Sequence, residues 1–372
     1  MKTKSVLIYG EYSGYGKSLA KGFRKLGYRS EVLSFSGDGF KKINSGLQLH
    51  GNNKLKKLIS LIKLIPEILS YKNIIVMNPD FFKLRFLGPL MLLLFKITGK
   101  NLLLLCCGDD VEFIRQGKKG NIENWPYADI PLPSKKYFSR KRDLVMNYLV
   151  ANYAYKIIPV MYDYHKAWSY SKFKEKLVNS IPLACDGEIK KINKKDFNKE
   201  KIVIMHGINR EGFKGSKEIK LALAQIKEEY RDNIEVILPE RLPLNEYLRI
   251  MEEVDISIDQ AKGNSYGMNA IYSMFSGHIV LAPANSHFTN NLNLSSCPVI
   301  SIENNKNSIV YALKKIILNH SDIFNLKVAT QNYAIQVHSS DAVAHKIEPF
   351  LKWISALKTL VNLKNNSSYH LL

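Results

Sequence analysis

Two clusters in the second half of this 372-residue chain combine cations, small residues and a helix start in a way that suits an anionic ligand. In HGINREGFKGSKEI, His206–Ile219, Arg210 and Lys214 stand four residues apart, with Gly212 and Gly215 beside them. A guanidinium can grip a phosphate through two parallel N–H bonds, an ammonium acts as a point charge, and glycine lets the backbone come close. A charged loop with chance spacing would look the same. Further on, DQAKGNSYGMNAIYSMFSGHIVLAP, Asp259–Pro283, reads as a strand end, a loop of small residues, a helix, a Gly turn and a second strand. Asn264, Ser265, Gly267, Met268 and Asn269 lie at the helix start and Ser276-Gly277 at its end. Such a start presents free N–H groups and the positive end of a dipole, so it can bind phosphate. An ordinary helix cap is the alternative, and the pairing of the two clusters favours a diphosphate.

The first half offers weaker candidates. GEYSGYGKS at Gly10–Ser18 approaches the phosphate-binding loop pattern, but Gly10 and Gly16 are one residue too far apart. Glu11 stands where a glycine should, and its charge would oppose a phosphate. The dinucleotide pattern fails at Leu19. Gly14, Tyr15 and Gly16 are therefore read as a strand-to-helix turn lining a cleft at the carboxyl end of the sheet. Gly108-Asp109-Asp110 ends another strand facing the cleft; Asp109 or Asp110 is a candidate catalytic carboxylate, or caps the helix Val111–Gln116. His165 and His206 are further cleft candidates, although a lone His is more often structural. The four Cys, two of them adjacent as Cys106-Cys107, suggest neither a disulfide scaffold nor a zinc cluster, and no metal site is expected.

The elements that must position these residues alternate strand and helix throughout. Ser5–Gly10, Arg29–Ser34, Asn73–Met77, Asn101–Cys107 and Lys156–Val160 read as strands. The helices between them are Gly16–Leu26, Lys54–Tyr71, Leu84–Thr98 and Arg140–Ala154. A polar stretch, DGEIKKINKKDFNKE, follows Cys185 and precedes a fresh strand at Lys201–Met205. Helices at Lys217–Glu229, Leu244–Glu253, Ser308–Asn319, Asp322–Val337 and Ser340–Leu360 follow, with strands at Ile234–Leu238, Asp255–Asp259 and Pro298–Ile302. The expected fold class is α/β, two Rossmann-like parallel-sheet domains facing a cleft. The expected boundaries are 1–188 and 189–372.

Charge is uneven. Residues 1–190 carry 32 Lys+Arg against 15 Asp+Glu, and the remainder 22 against 18, within a net charge of +21. Nucleic acid and an anionic membrane are the usual partners of such a half, unless the charge serves solubility alone. No RNP, KH or helix-turn-helix pattern appears, so nucleic acid is not expected. Phe86–Ile97 is too short and interrupted to span a bilayer. Lys54–Tyr71 is a basic amphipathic helix that can lie in a membrane interface or pack on a sheet with a solvated basic face. The N-terminal stretch lacks a signal-peptide pattern, so a cytoplasmic protein, peripheral on the inner membrane face, is expected.

Taken together, NREGFKG at Asn209–Gly215, EYLRIMEEVDISIDQ at Glu246–Gln260 and SYGMNAIYSMFSGHIVLAP at Ser265–Pro283 resemble the retaining GT-B glycosyltransferases, especially the family 4 group that builds O-antigens, capsules and exopolysaccharides. The resemblance covers nearly the whole chain in layout and is specific in the second half. It implies metal-independent transfer from a nucleotide-diphosphate sugar, with no other cofactor, to a lipid-linked or glycan acceptor. It places the donor diphosphate on Arg210, Lys214 and Gly215, and the sugar and nucleotide against Ser265, Gly267, Met268 and Asn269. The family carries Glu at two positions where this chain has Asn264 and Tyr272. Asn264 could still hydrogen-bond the transferred sugar, and Tyr272 could bond or stack on a ribose. The alternatives are a non-catalytic GT-B partner subunit and a basic nucleic-acid-binding protein.

Overall fold

The structure, a computed structural model, describes residues 4–34, 46–48, 50, 53–82, 86–197, 199–240, 246 and 249–351. Apolar runs such as SVLIY and NLLLLC are too short for helices and buried on both faces, which is the composition of parallel-sheet strands. In the first half they form β1 (Ser5–Tyr9), β2 (Arg29–Ser34), β3 (Leu47–Gln48), β4 (Asn73–Val76), β5 (Asn101–Cys106) and β6 (Lys156–Pro159). These pair in the order β3-β2-β1-β4-β5-β6, every pair parallel. The connecting helices are α1 (Tyr15–Lys25), α2 (Lys54–Ser70), α3 (Leu87–Ile97), α4 (Val111–Lys118), α5 (Lys141–Tyr153) and α6 (Tyr162–Ser169). The strand order reverses direction at β1, so right-handed crossovers put α1 on one face and α2, α3 and α5 on the other.

The second half contains β7 (Ile202–Met205), β8 (Ile234–Ile237), β9 (Ile256–Ile258), β10 (Ile279–Ala282) and β11 (Ile300–Ser301), all parallel in the order β8-β7-β9-β10-β11. Its helices are α7 (Glu211–Lys214), α8 (Ser216–Glu229), α9 (Met268–Phe275), α10 (Ser286–Asn291), α11 (Lys306–Leu318) and α12 (Ile323–His338). In both sheets the order reverses beside the first strand, and the loops at the carboxyl ends of the strands there form the natural ligand crevice. The elements expected from the sequence form with ends shifted by a few residues. The short elements β3, α6, α7 and α10 were not expected. Four of the ten residues of the helix expected over Leu244–Glu253, and the tail beyond 351, lie outside the described residues.

One boundary differs from expectation. After α12 the chain returns to the first half, where the helix over 340–351 lies against α1. Tyr28 donates to Glu348 Oε1 at 3.1 Å, Lys25 pairs with Asp341 at 3.0 Å, and Val343, Ala344 and Ile347 are buried in the first domain's core. Composition marks the linker after Cys185, but an amphipathic pattern does not say which sheet a helix will cover. Gly22 makes the crossing possible: a β-carbon there would fall on the carbonyl oxygen of Ser340 and 2.9 Å from Ala344 Cβ. Gly22→Ala should therefore destabilise by about 1–3 kcal/mol despite alanine's better helix propensity. Urea unfolding of the variant checks this, and unchanged stability would mean that the helix over 340–351 does not dock there.

Candidate functional site

The loop between β9 and α9 is shaped by its own side chains before it meets the other half. Gln260 Nε2 donates to the carbonyls of Lys262 and Ser265, both at 3.0 Å, and so folds residues 260–265 into a compact turn. The far side of that turn is pressed onto the first domain. Asp163, in the first turn of α6, accepts the backbone N–H of Asn264 at 3.1 Å and its side-chain amide at 2.9 Å. The same amide donates to Glu123 O at 2.6 Å, and Asn124 Nδ2 donates to Asn264 Oδ1 at 3.3 Å. Gly263 N–H donates to Asn124 O at 2.9 Å, and the Tyr162 N–H donates to Ser265 Oγ at 3.2 Å. Lys262 forms an ion pair with Asp129. Burial raises the Asp163 carboxyl, while the bonds from Asn264 and Ser265 work against that rise.

The cations come from the one-turn helix α7. Lys214 is buried and donates to Asp259 Oδ1 at 2.9 Å, and Asp259 Oδ2 accepts the N–H of Gly267 at 3.4 Å. Burial alone would raise the Asp259 carboxyl, but the ammonium of Lys214 and the Gly267 N–H hold it below its ordinary range. Gly267 is the N-cap of α9, which has no side-chain cap and no acidic residue in its first turn. Gly215, left-handed at φ 74°, ends α7 and begins α8; a β-carbon there would collide with the Asn304 side chain and sit 3.3 Å from Lys262 Cγ. Arg210 reaches across the cleft. Its guanidinium stacks 3.7 Å from the Phe213 ring centroid, donates to the Tyr127 hydroxyl at 2.9 Å and lies 3.9 Å from Asp109 Oδ2. That oxygen also accepts the hydroxyls of Tyr127 at 2.5 Å and Tyr137 at 2.8 Å. Burial, and then the Asp109 carboxylate, push both phenols well above their ordinary value.

Several expectations are corrected by this geometry. Asp110 does not face a substrate: it caps α4, accepting from Phe113 N–H and from Trp168 Nε1, both at 2.8 Å, and burial pushes its carboxyl up to about 7. Asn264 and Ser265, expected to meet the donor, are fully buried, with their polar atoms engaged by the first domain. Tyr272, expected to reach a ribose, donates its hydroxyl to Ser13 O at 3.0 Å across the cleft. Tyr15 points into the core, and the N–H groups of Gly14 and Gly16 both donate to Glu11 Oε1, at 2.9 and 3.2 Å. The Lys17 N–H adds 2.8 Å to Glu11 Oε2, so the start of α1 is filled by the chain's own carboxylate. Half-buried Tyr12 and Ser13 form the tip of that loop instead. His206 is structural, bonded to Ile258 O and Ser216 Oγ at 2.8 Å each and lowered by burial to about 4. His165 is half-buried on α6, lowered by burial and by Lys166.

Arg210, Lys214, Gly215, Gly267, Met268, Asn269 and Asp109 thus remain around one cleft, the three residues at the start of α9 half-buried. Sequence reasoning missed Tyr127, Tyr137, Asp129, Asp163, Asp259 and Lys262. The usable signal was the stretch Asn124–Pro133, whose Tyr and Asp residues sit among prolines where a mere connector would need neither.

No protein-family profile matches this chain, and no curated protein matches its sequence. Solved structures match its fold. Anabaena HepE in complex with UDP and glucose aligns with a TM-score of 0.59 at 14% identity, over 94% of this chain and 99% of the other. Sucrose-phosphate synthase from Thermosynechococcus elongatus aligns with a TM-score of 0.61 at 12% identity, over 95% and 100%. A glycosyltransferase from Rickettsia africae aligns with a TM-score of 0.55 at 15% identity, over 95% and 99%. The fold is GT-B, two Rossmann-like parallel-sheet domains facing a cleft.

Two outcomes follow. Replacing Asn264 by Glu would set a second carboxylate against buried Asp163. Asn264→Glu should cost about 3–5 kcal/mol, the scale of an uncompensated buried charge. Adding Asp163→Asn should restore part of it in a double-mutant cycle. Strict additivity would show that the two side chains do not meet. The lowered Asp259 carboxyl contributes stability above the ordinary Asp value of about 3.9, lost as pH falls through the lower folded value. In Lys214→Met that depression is gone, so the acid-unfolding midpoint should move to higher pH; an unmoved midpoint would break the pairing argument.

Proposed function

We propose that this chain is a glycosyltransferase of the retaining, family 4 type. It transfers a sugar from a nucleotide-diphosphate sugar to a lipid-linked or glycan acceptor in the assembly of a bacterial surface polysaccharide such as an O-antigen or capsule. On this reading it works as a peripheral protein on the inner face of the cytoplasmic membrane, without a metal. The observation that carries the reading is the convergence of Arg210, Lys214 and the uncapped start of α9 in the cleft of a GT-B fold. Transfer breaks the bond from the anomeric carbon to the β-phosphate oxygen, and negative charge builds on the departing diphosphate. A guanidinium that leaves Tyr127 and Asp109, the ammonium of Lys214 and a helix N-terminus stabilise that charge. Asp109, its Oδ2 fixed by two phenols, is the carboxylate that would orient the acceptor hydroxyl. The bound UDP and glucose in the structure of HepE support a nucleotide-sugar donor.

A specific observation also favours the second reading, a non-catalytic GT-B partner subunit. Both positions where the resembling family carries Glu are spent here on bonds between the two halves, Asn264 on Asp163 and Tyr272 on Ser13.

Thermal unfolding with UDP, GDP, ADP and CMP separates the readings. One diphosphate should raise the melting temperature by a few degrees, since ligand at a hundred times its Kd adds about 2.7 kcal/mol. Arg210→Ala should weaken that ligand by about tenfold or more, the loss of a charge-assisted bond. A flat response to all four nucleotides, with no transfer from any sugar donor, would leave the partner-subunit reading.

A further inference from the structure

Helices α2 and α3 each carry two apolar faces, where packing on a sheet needs only one. On α2, Leu61 and Ile68 are fully buried against the core, while Leu55, Ile59 and Ile62 point outward, Leu55 with 65% of its surface exposed. On α3, Met91, Leu92 and Phe95 are buried, while Phe86, Leu90, Leu93 and Ile97 form a second stripe one and two turns apart; Phe86 is 83% exposed and Ile97 71%. Both stripes follow i, i+4, i+7 spacing, so each is a continuous line along its helix. The crossover argument puts α2, α3 and α5 on the same face of the first sheet. Val145 and Tyr148, exposed on α5, carry the apolar surface further, and the Lys172 ammonium lies 3.8 Å from the Tyr148 ring centroid. Soluble monomers rarely leave apolar stripes of this kind uncovered.

The charges around the stripes say what covers them. Along α2 stand Lys56, Lys57 and Lys63 against a single acid, Glu67. The α3 segment carries Lys96 and no acid, and the first turn of α5 carries Lys141 and Arg142 against one acid, Asp143. Apolar side chains flanked by lysines suit the boundary between acyl chains and anionic headgroups, where each lysine near the surface adds attraction. No helix among the described residues is long and apolar enough to cross a membrane, so contact would be from one side. In a parallel sheet the helices start at the carboxyl ends of the strands, so Leu55 and Phe86 lie toward the edge that also carries the cleft loops at Gly14 and Asp109.

We infer that the outer face of α2, α3 and the start of α5 docks on an anionic lipid bilayer, with its apolar stripes in the interface and its lysines at the headgroups. The inference rests on the transferase reading only for its purpose, which is to bring the cleft edge to a lipid-linked acceptor. The face itself stands on exposure and charge.

The test uses the full chain and flotation with phosphatidylcholine vesicles, with and without phosphatidylglycerol. The wild type should float with the anionic vesicles and about tenfold less with the neutral ones. L90E/L93E, on exposed positions that leave the core alone, should lose about tenfold of the anionic binding while its melting temperature and its response to nucleoside diphosphate stay as in the wild type. K56Q/K63Q should weaken binding and flatten its dependence on salt. Equal recovery with both vesicle types would overturn the inference, as would unchanged flotation of L90E/L93E. So would a concentration-dependent dimer that L90E/L93E dissociates and that ignores vesicles, because a second copy would then cover the face. If flotation behaves as stated but no nucleotide shifts the melting temperature, the transferase reading fails and the docking face survives.

Discussion

The carboxylate of Asp163 is out of water, and a buried anion is tolerable only when donors reach its oxygens. Here the donors belong to the other half of the molecule: the backbone and side-chain amides of Asn264 and the hydroxyl of Ser265. The arrangement of the site depends on that requirement. It fixes the loop over 260–265 against α6, and from there Lys262 meets Asp129 and Gly263 meets Asn124. The loop ends at Gly267, so the bond to Asp163 also sets where α9 begins. An Asp at 163 and a Glu at 264 would place like charges in the same buried space, each raising the other's pKa. Asn at 264 is the residue that lets the two halves meet, and the same contact takes that position away from a sugar.

The starts of α1 and α9 both follow glycine-containing loops at strand ends, and the molecule treats them oppositely. The start of α1 is closed by Glu11, which collects the N–H groups of Gly14, Gly16 and Lys17. Gly16 is required for this, since a β-carbon would stand 2.8 Å from the Gly10 carbonyl oxygen and 2.9 Å from Glu11 Oε2. The start of α9 has neither a cap nor an acid, and its flanking acid, Asp259, is already paired with Lys214. A phosphate approaching α1 would compete with a tethered carboxylate. One approaching α9 would find a helix start with no side-chain cap, its flanking carboxylate neutralised by Lys214, and Arg210, half-exposed, which has only to leave Tyr127 and Asp109.

Much of the fold was legible because its strands are short apolar runs separated by longer segments of helical length. The order of strands in each sheet follows from handed crossovers once those elements are placed. What the sequence could not convey was which atoms share a partner. Asp110 and Asp109 are neighbours of the same type, yet one is spent on Phe113 and Trp168 while the other faces Tyr127 and Arg210; one residue of register in a helix cap decides it. Tyr272 looked available for a ligand because nothing local uses its hydroxyl, whereas its partner, Ser13, lies 259 positions away in the chain. The basic pattern of α2 left packing and membrane contact as alternatives; the helix does pack on the sheet through one face and still leaves a second apolar face outward.

The central claim is that an anionic nucleotide binds where Arg210, Lys214 and the start of α9 meet, and not at the glycine-rich turn before α1. Hydrogen–deuterium exchange with and without the diphosphate that shifts the melting temperature tests it directly. The account predicts slowed exchange at the amides of residues 210–215 and 266–270, with residues 14–17 unchanged because Glu11 already holds them. Protection at residues 14–17, with none at 266–270, would contradict it.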